Sequence, residues 1–313
     1  MRFTNFDAVL TYHSNIHTCG VARFNHYLAT HLSVPLVRIV DELVREFRHP
    51  IISIKVSEIL DADLNYIQDQ VGRLGSYSLI VHDLCDGPLL EKLVFNATRV
   101  MGLNKEISLR LRNLRPDVLI GHTVASYEQP KPSLEANLTL ITFGMAHKIQ
   151  SARYQKVAKL LKFDPRSHIL EISSALHEGT QFDDSFFEVG DEIAGLFEGR
   201  VRFLGFLADP EVSNRVARSS AMLAFFPSGA RENNNSVLSA MHLGVPVITN
   251  LDALSPVWLK HNETVFDIES LQQFPSDAEL KRVGSAGRAA VADLTYAMLI
   301  KSLSAARIAP SEN

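Results

Sequence analysis

One pattern constrains this chain more than any other. A short apolar run rich in β-branched residues is followed by a longer amphipathic stretch, and the pair recurs from end to end. Strands alternating with helices build parallel sheets covered by helices on both faces. In the first part the pattern predicts strands over 7–12, 34–40, 50–56, 78–83, 98–103 and 117–122, with helices over 20–32, 57–74, 89–95 and 105–114. Within 57–74, Ile59, Leu60, Leu64, Ile67, Val71 and Leu74 fall at three-to-four spacing and give one apolar face. The second part predicts strands over 138–144, 167–174, 201–206, 221–227 and 246–250. Its predicted helices cover 152–161, 185–197, 210–218 and 236–243, with helical material over 278–308.

Between these parts, around 125–137, Pro130 and Pro132 deny both a regular helix and a central strand. The domain boundary is placed there, giving an amino-terminal domain 1–130 and a carboxy-terminal domain 131–313, whose last helix has the option of packing back on the first domain. A length of 313 residues suits two doubly wound α/β domains. Sheets of this kind bind ligands at the carboxyl ends of their strands, so a cleft faced by both domains is the expected site.

Composition narrows the function. Hydrophobic residues at 46% and charged residues at 21% are enough for packed cores and argue against general disorder. A net charge of -4 lacks the basic excess of a dedicated nucleic-acid binder. Cys19 and Cys85 stand alone, with no disulfide framework or paired zinc spacing, so a reducing, cytoplasmic setting is expected. No apolar run approaches about 18 residues, so no membrane span is predicted. Lys105, Arg110, Arg112 and Arg115 form a basic segment that reads as a solvated helix face, with membrane contact at most peripheral.

The stretch from Val201 to Asp252 carries the most specific text. Leu204, Gly205 and Phe206 close a strand; Asp209 leads a helix; Pro227 and Ser228 close the next strand; Ala240 and Met241 precede Gly244, Val245, Pro246 and Val247. In order and spacing this resembles the donor-binding domain of retaining, family 4 glycosyltransferases of the GT-B fold. More weakly, the strand that ends before His17, Thr18, Cys19 and Gly20 is similar to the family's first loop, with Cys19 in place of one glycine of the usual pair. The 78–83 strand, ending His82 and Asp83, and the text ITFGMAHKIQSARYQKVAKLL also resemble family segments.

The resemblance implies a fold of two Rossmann-like domains and transfer of a sugar from a nucleotide-diphosphate donor to a hydroxyl acceptor, with retained configuration. A leaving nucleoside diphosphate gains negative charge, which helix-start amides and fixed cations stabilise. The implied donor-binding set is Gly20, Gly144, Lys148, Arg153, Arg231, Asn233, Asn234, Asn235, Ser236 and Ser239, and the implied catalytic pair is His82 and Glu232. His147 needs no role. Asn235 or Ser236 also reads as a simple helix cap, although three asparagines after Arg231 and Glu232 exceed what a cap needs.

The family's glutamate pair is altered here. Arg231 holds the first place, with Glu232 one step late, and Ser239 holds the second, where a neutral hydroxyl replaces a charge-assisted ribose contact. The implied partners are a nucleotide-sugar donor and a sugar, lipid-linked or small-molecule acceptor; no cofactor and no metal are expected, since Asp83 and Asp86 lack a further ligand at metal spacing. Two alternatives stay open: a non-catalytic nucleotide- or sugar-binding module of the same fold, and a nucleotide-sugar epimerase.

Overall fold

The structure is a computed structural model that describes residues 6–16, 19–41, 44–125, 138–145, 151–175 and 185–304. Contacts divide the chain into two units. Unit 1 runs through His122 and takes up the chain again from Leu294; unit 2 runs from Thr123 to Asp293.

Unit 1 is built on strands β1 (Val9–Thr11), β2 (Leu36–Arg38), β3 (Ile51–Ile54), β4 (Ser78–Val81), β5 (Arg99–Gly102) and β6 (Leu119–Ile120), paired in the order β2-β1-β3-β4-β5-β6. Every pairing is parallel. Helices α1 (Gly20–Leu32), α2 (Asp61–Gly72), α3 (Pro88–Asn96) and α4 (Lys105–Leu111) make the crossovers. All four residues of β3 and of β4 are buried, which is why these strands read as near-continuous apolar runs broken only by Ser53 and Ser78: a parallel sheet covered on both faces has no solvent side to alternate with.

Unit 2 carries β7 (Leu138–Met145), β8 (His168–Ala175), β9 (Val201–Gly205), β10 (Ala221–Ala224), β11 (Val247–Thr249) and β12 (Phe266–Asp267), in the order β12-β11-β10-β7-β8-β9. These pairings are parallel as well. Helices α5 (Ser151–Leu161), α6 (Ser185–Leu196), α7 (Asp209–Arg218), α8 (Asn235–His242) and α9 (Asp277–Ala290) belong to it. The last helix, α10 (Tyr296–Ser304), lies in unit 1 against α1 and β5. Tyr296 donates its hydroxyl to the carbonyl of Phe24 at 3.3 Å and rests its ring on Phe24 and His31.

The structure adds three details to the sequence pattern. The stretch 278–308 is two helices, because a capping box of Ser276 and Glu279 starts α9 and the chain then leaves unit 2 before α10 begins. The predicted 57–74 helix opens with a separate 3₁₀ turn, Val56–Glu58, and α2 starts at Asp61. The Asp83 carboxylate accepts from the Val56 and Ser57 amides and holds that turn apart. β12 is two residues long, too short for any period to reveal.

The strand orders locate two crevices. Connections reverse direction between β1 and β3 in unit 1 and between β7 and β10 in unit 2, and it is outside the carboxyl ends at such reversals that open α/β sheets bind ligands.

Candidate functional site

In unit 2 the reversal point is bordered by the segment joining β10 to α8. Asn250, just past β11, pins that segment: its side chain accepts from the Phe226 amide at 2.8 Å and donates to the Phe226 carbonyl at 2.9 Å. Its own carbonyl accepts from Ala230 N at 2.8 Å. Gly229 adopts a left-handed φ of 84°, and a Cβ there would stand 2.8 Å from Cγ of Asp252, so glycine is required twice over.

Arg231 then turns inward. Its guanidinium meets Asp252 in a two-pronged pair, Nη1 to Oδ1 and Nη2 to Oδ2, both at 2.8 Å. Burial alone would push the Asp252 carboxyl up, but hydrogen bonds from Arg231 and from Leu254 N outweigh it and hold it below its ordinary value. Arg231, expected among the donor-binding residues, is thus committed to a carboxylate of its own chain. Ser239 is a second departure: it is 0% exposed, and its hydroxyl faces Asn235 Oδ1 at 3.3 Å, so the expected ribose contact has no open path to it. Position 239 lies on the packed side of α8, a placement that spacing alone does not reveal.

The asparagines that follow are less deeply buried than Arg231 and Glu232. Asn234 occupies the N-cap of α8, yet its side chain accepts from Arg231 N at 2.6 Å and makes no cap bond to the helix's own first-turn amides. The helix therefore begins with its amides uncapped by that residue, an electropositive start suited to an anion. Asn233, Asn235 and Ser236 are half-buried beside it. Glu232 is 8% exposed and accepts through its carbonyl from Thr123 N at 3.1 Å.

Across the reversal point, Gly144 lies in β7, in register with Ser174 of β8. Lys148 and His147 lie outside the described residues. Arg153, in the first turn of α5, has Nε 3.7 Å from Glu269 Oε1, and Lys156 reaches the same residue, Nζ to carbonyl at 2.9 Å. A carboxylate at Glu269 therefore already tempers Arg153, one of the two cations expected to face a diphosphate, together with its neighbour Lys156. A separate cavity of about 370 Å³ in unit 2, lined by Leu160, Phe163, Arg166, Phe274 and Asp277 among others, opens by the loop that precedes β8, at the amino end of that strand.

In unit 1 the crevice between β1 and β3 is edged by the segment after β1, the start of α1 and the 3₁₀ turn after β3. Gly20 is the first residue of α1; a Cβ there would meet nothing within 4 Å, so the local chain leaves that space open. Thr11, Asn25, Ser53 and His82 form a polar ladder. Thr11 Oγ1 donates to His13 O at 2.9 Å, Asn25 Nδ2 donates to Thr11 Oγ1 at 2.9 Å and to Ser53 O at 2.8 Å, and Ser53 Oγ donates to Asn25 Oδ1 at 2.5 Å. His82 Nε2 lies 2.9 Å from Ser53 Oγ, and the Phe24 ring stands edge-on to the imidazole at 5.1 Å. Burial, helped by the nearby Lys55, brings the His82 pKa down to about 3, so its imidazole is neutral at physiological pH.

Residues that patterning did not single out crowd the same crevice. His13 Nε2 is 3.0 Å from Glu58 Oε2, and Lys55 also pairs with Glu58. The hydrogen bond from His13, opposed by burial and aided by Lys55, holds the Glu58 carboxyl down at about 2. Ligand atoms of His13, Cys19 and Glu58 lie within 4.8 Å of one another, the spacing of a metal site, but the Lys55 ammonium on Glu58 already supplies that carboxylate with a cation. Outside the crevice, the basic segment is spoken for: Arg110 pairs with Asp86, Arg112 donates to Val118 O, and buried Arg115 donates to Val94, Ala97 and Thr98 carbonyls and to Asp117. Asp83 caps the 3₁₀ turn. No described helix is long and apolar enough to cross a membrane.

No protein-family model matches this sequence, and no curated protein is significantly similar to it. Solved structures do resemble it in three dimensions. Anabaena HepE in complex with UDP and glucose superposes with a TM-score of 0.70 at 12% identity, over 95% of this chain and 98% of that one. A glycosyltransferase from Rickettsia africae gives 0.63 at 12% identity over 96% and 97%. Sucrose-phosphate synthase from Thermosynechococcus elongatus gives 0.60 at 12% identity over 81% and 72%. The fold shared with these structures is GT-B, and in this chain it is built from two parallel six-stranded α/β sheets.

Proposed function

We propose that the chain is a glycosyltransferase that moves a sugar from a nucleotide-diphosphate donor to a hydroxyl acceptor with retention of configuration, in the cytoplasm. The observation that carries this reading is the β10–α8 loop: at the reversal point of a GT-B sheet, it is pinned by Asn250 and Asp252 and delivers a helix start whose N-cap side chain is turned away. Those amides, with Asn233, Asn235, Ser236, Lys148 and Arg153, would hold the donor phosphates and sugar hydroxyls. The start of α1 at Gly20, which has room for an approaching group, would also offer amides to the donor. Neutral His82 would meet the transferred sugar, and Glu232 would serve the reacting centre. Arg231 and Ser239 act differently from first expectation: they shape the loop and its helix. The acceptor, a sugar, lipid-linked or small molecule, would enter beside His13 and Glu58 of unit 1. HepE, bound to UDP and glucose, supports a uridine donor for the first trial.

The buried state of Ser239 also favours a second reading, a non-catalytic module that binds a nucleotide sugar. Calorimetry with UDP-, GDP-, ADP- and TDP-glucose, followed by transfer and hydrolysis assays on an acceptor panel, separates the two. A donor that binds and turns over supports the enzyme. A donor that binds without hydrolysis or transfer leaves the module, and binding by none of the four removes both.

A further inference from the structure

The ladder beneath His82 contains its own proton count. Asn25 must present Nδ2 toward Thr11 Oγ1 and Ser53 O, because a backbone carbonyl accepts only and a flipped amide would set Oδ1 against it at 2.8 Å. Oδ1 then faces Ser53 Oγ, and since Oδ1 cannot donate, the single hydroxyl proton of Ser53 is spent on it. His82 Nε2, 2.9 Å from that same oxygen, has no proton to accept from Ser53 and must supply one. The order of donors thus passes from a fixed carbonyl through Asn25 and Ser53 to the ring.

We propose that Asn25 and Ser53 hold His82 in its Nε2–H form, so that Nδ1 is left as a hydrogen-bond acceptor and selects a proton-bearing group, a sugar hydroxyl, over a phosphate oxygen. Asn25 and Ser53 are positioning residues: they act through the ring. The edge-on Phe24 ring, itself backed by Tyr296, restrains the imidazole plane. A neutral imidazole in this tautomer repels an acceptor-only oxyanion and pairs with a hydroxyl, which divides labour between His82 and the amide-rich helix starts. The proton count stands on the ladder's geometry alone. The selectivity for a hydroxyl rests on the placement of His82 proposed above.

The test is a long-range ¹H–¹⁵N correlation spectrum of protein labelled at histidine, with His82 assigned by comparison with His82→Gln. The expected result in the ligand-free protein is an unprotonated-type shift at Nδ1 and a protonated-type shift at Nε2; the reverse pattern overturns the proposal. Ser53→Ala should drift toward the average of the two tautomers and lower kcat for UDP-glucose turnover by about tenfold, the size of one lost oriented hydrogen bond. Ser53→Thr, which keeps the hydroxyl, should restore both. A Ser53→Ala protein that folds and keeps the wild-type shifts overturns the positioning role; if it does not fold, the wild-type spectrum decides. Adding UDP-glucose should move Nδ1, and UDP alone should not. Equal movement by UDP overturns the hydroxyl selectivity. No movement by a calorimetrically bound UDP-glucose overturns the placement of His82 at the sugar and leaves the tautomer standing.

Discussion

Arg231 and Asp252 face each other through two 2.8 Å hydrogen bonds, tying the loop after β10 to the segment after β11. The arginine is buried and the carboxylate side chain is 37% exposed, so water partly screens the pair. Arg231→Ala should therefore cost about 1–3 kcal/mol in a urea titration, less than a fully buried pair would. Donor affinity should fall only as far as the loop loosens, and Asp252→Asn should reproduce much of the loss. A protein of unchanged stability with abolished donor binding would return Arg231 to the ligand-binding set.

Glycines at the two crevices should respond in opposite ways. Gly229→Ala forces a side chain into a left-handed backbone and against the Asp252 carboxylate, and should cost about 1–3 kcal/mol, read as a lower urea midpoint. Gly20→Ala meets no neighbour within 4 Å and should leave the unfolding free energy within about 0.5 kcal/mol of the parent. If the α1 start receives the donor, Gly20→Ala weakens donor binding in calorimetry without touching stability. Loss of stability at Gly20 would show a packing role.

The alternation of apolar and amphipathic runs was legible because parallel sheets bury both strand faces, and IISI and AMLA, apolar but for Ser53, are buried at every position. The ordered landmarks from Leu204 to Val247 likewise pointed to the loop that closes on Asn234. Hidden from the sequence was side-chain direction. Arg231 and Ser239 sit where a polar motif led, yet one pairs inward with Asp252 and the other packs inside α8. Asn250, whose bonds to Phe226 set the loop, follows an ordinary strand and carries no motif. The His13–Glu58 pair joins residues from two crossovers, a proximity created by the strand order β2-β1-β3.

Acid should weaken unit 1 through His82, and His49, lowered by burial as well, acts with the same sign. The His82 pKa falls from an ordinary 6.5 to about 3 on folding, mainly by burial, so the unfolded chain binds more protons between these values. The stabilising term is complete above about pH 6.5 and is lost as pH drops toward 3. Glu58, lowered from 4.5 to about 2, adds a loss of the same sign below about pH 4.5. Lys55 adds to the His82 shift and Glu58 opposes it. Urea midpoints measured from pH 7 to pH 4.5 should decline in the parent and decline less in His82→Gln, whose amide does not titrate in this range. Parallel declines would show that His82 is not neutral in the folded chain.

Ser239 tests whether the altered glutamate position still contacts the donor. Its hydroxyl is buried and faces Asn235, so Ser239→Ala removes one neutral hydrogen bond at a cost of about 1 kcal/mol. Donor affinity should be unchanged within about twofold, because no ligand atom loses a partner. Ser239→Glu should be far worse for folding: a carboxylate at a fully buried position of α8 is desolvated without a cation of its own, and the added volume has no space. The measurement is a pair of calorimetric titrations with UDP-glucose beside urea midpoints for both variants. A tenfold drop in affinity for Ser239→Ala at unchanged stability would place the hydroxyl on the ribose after all, and a stable, tighter-binding Ser239→Glu would show that the helix turns this face to the donor.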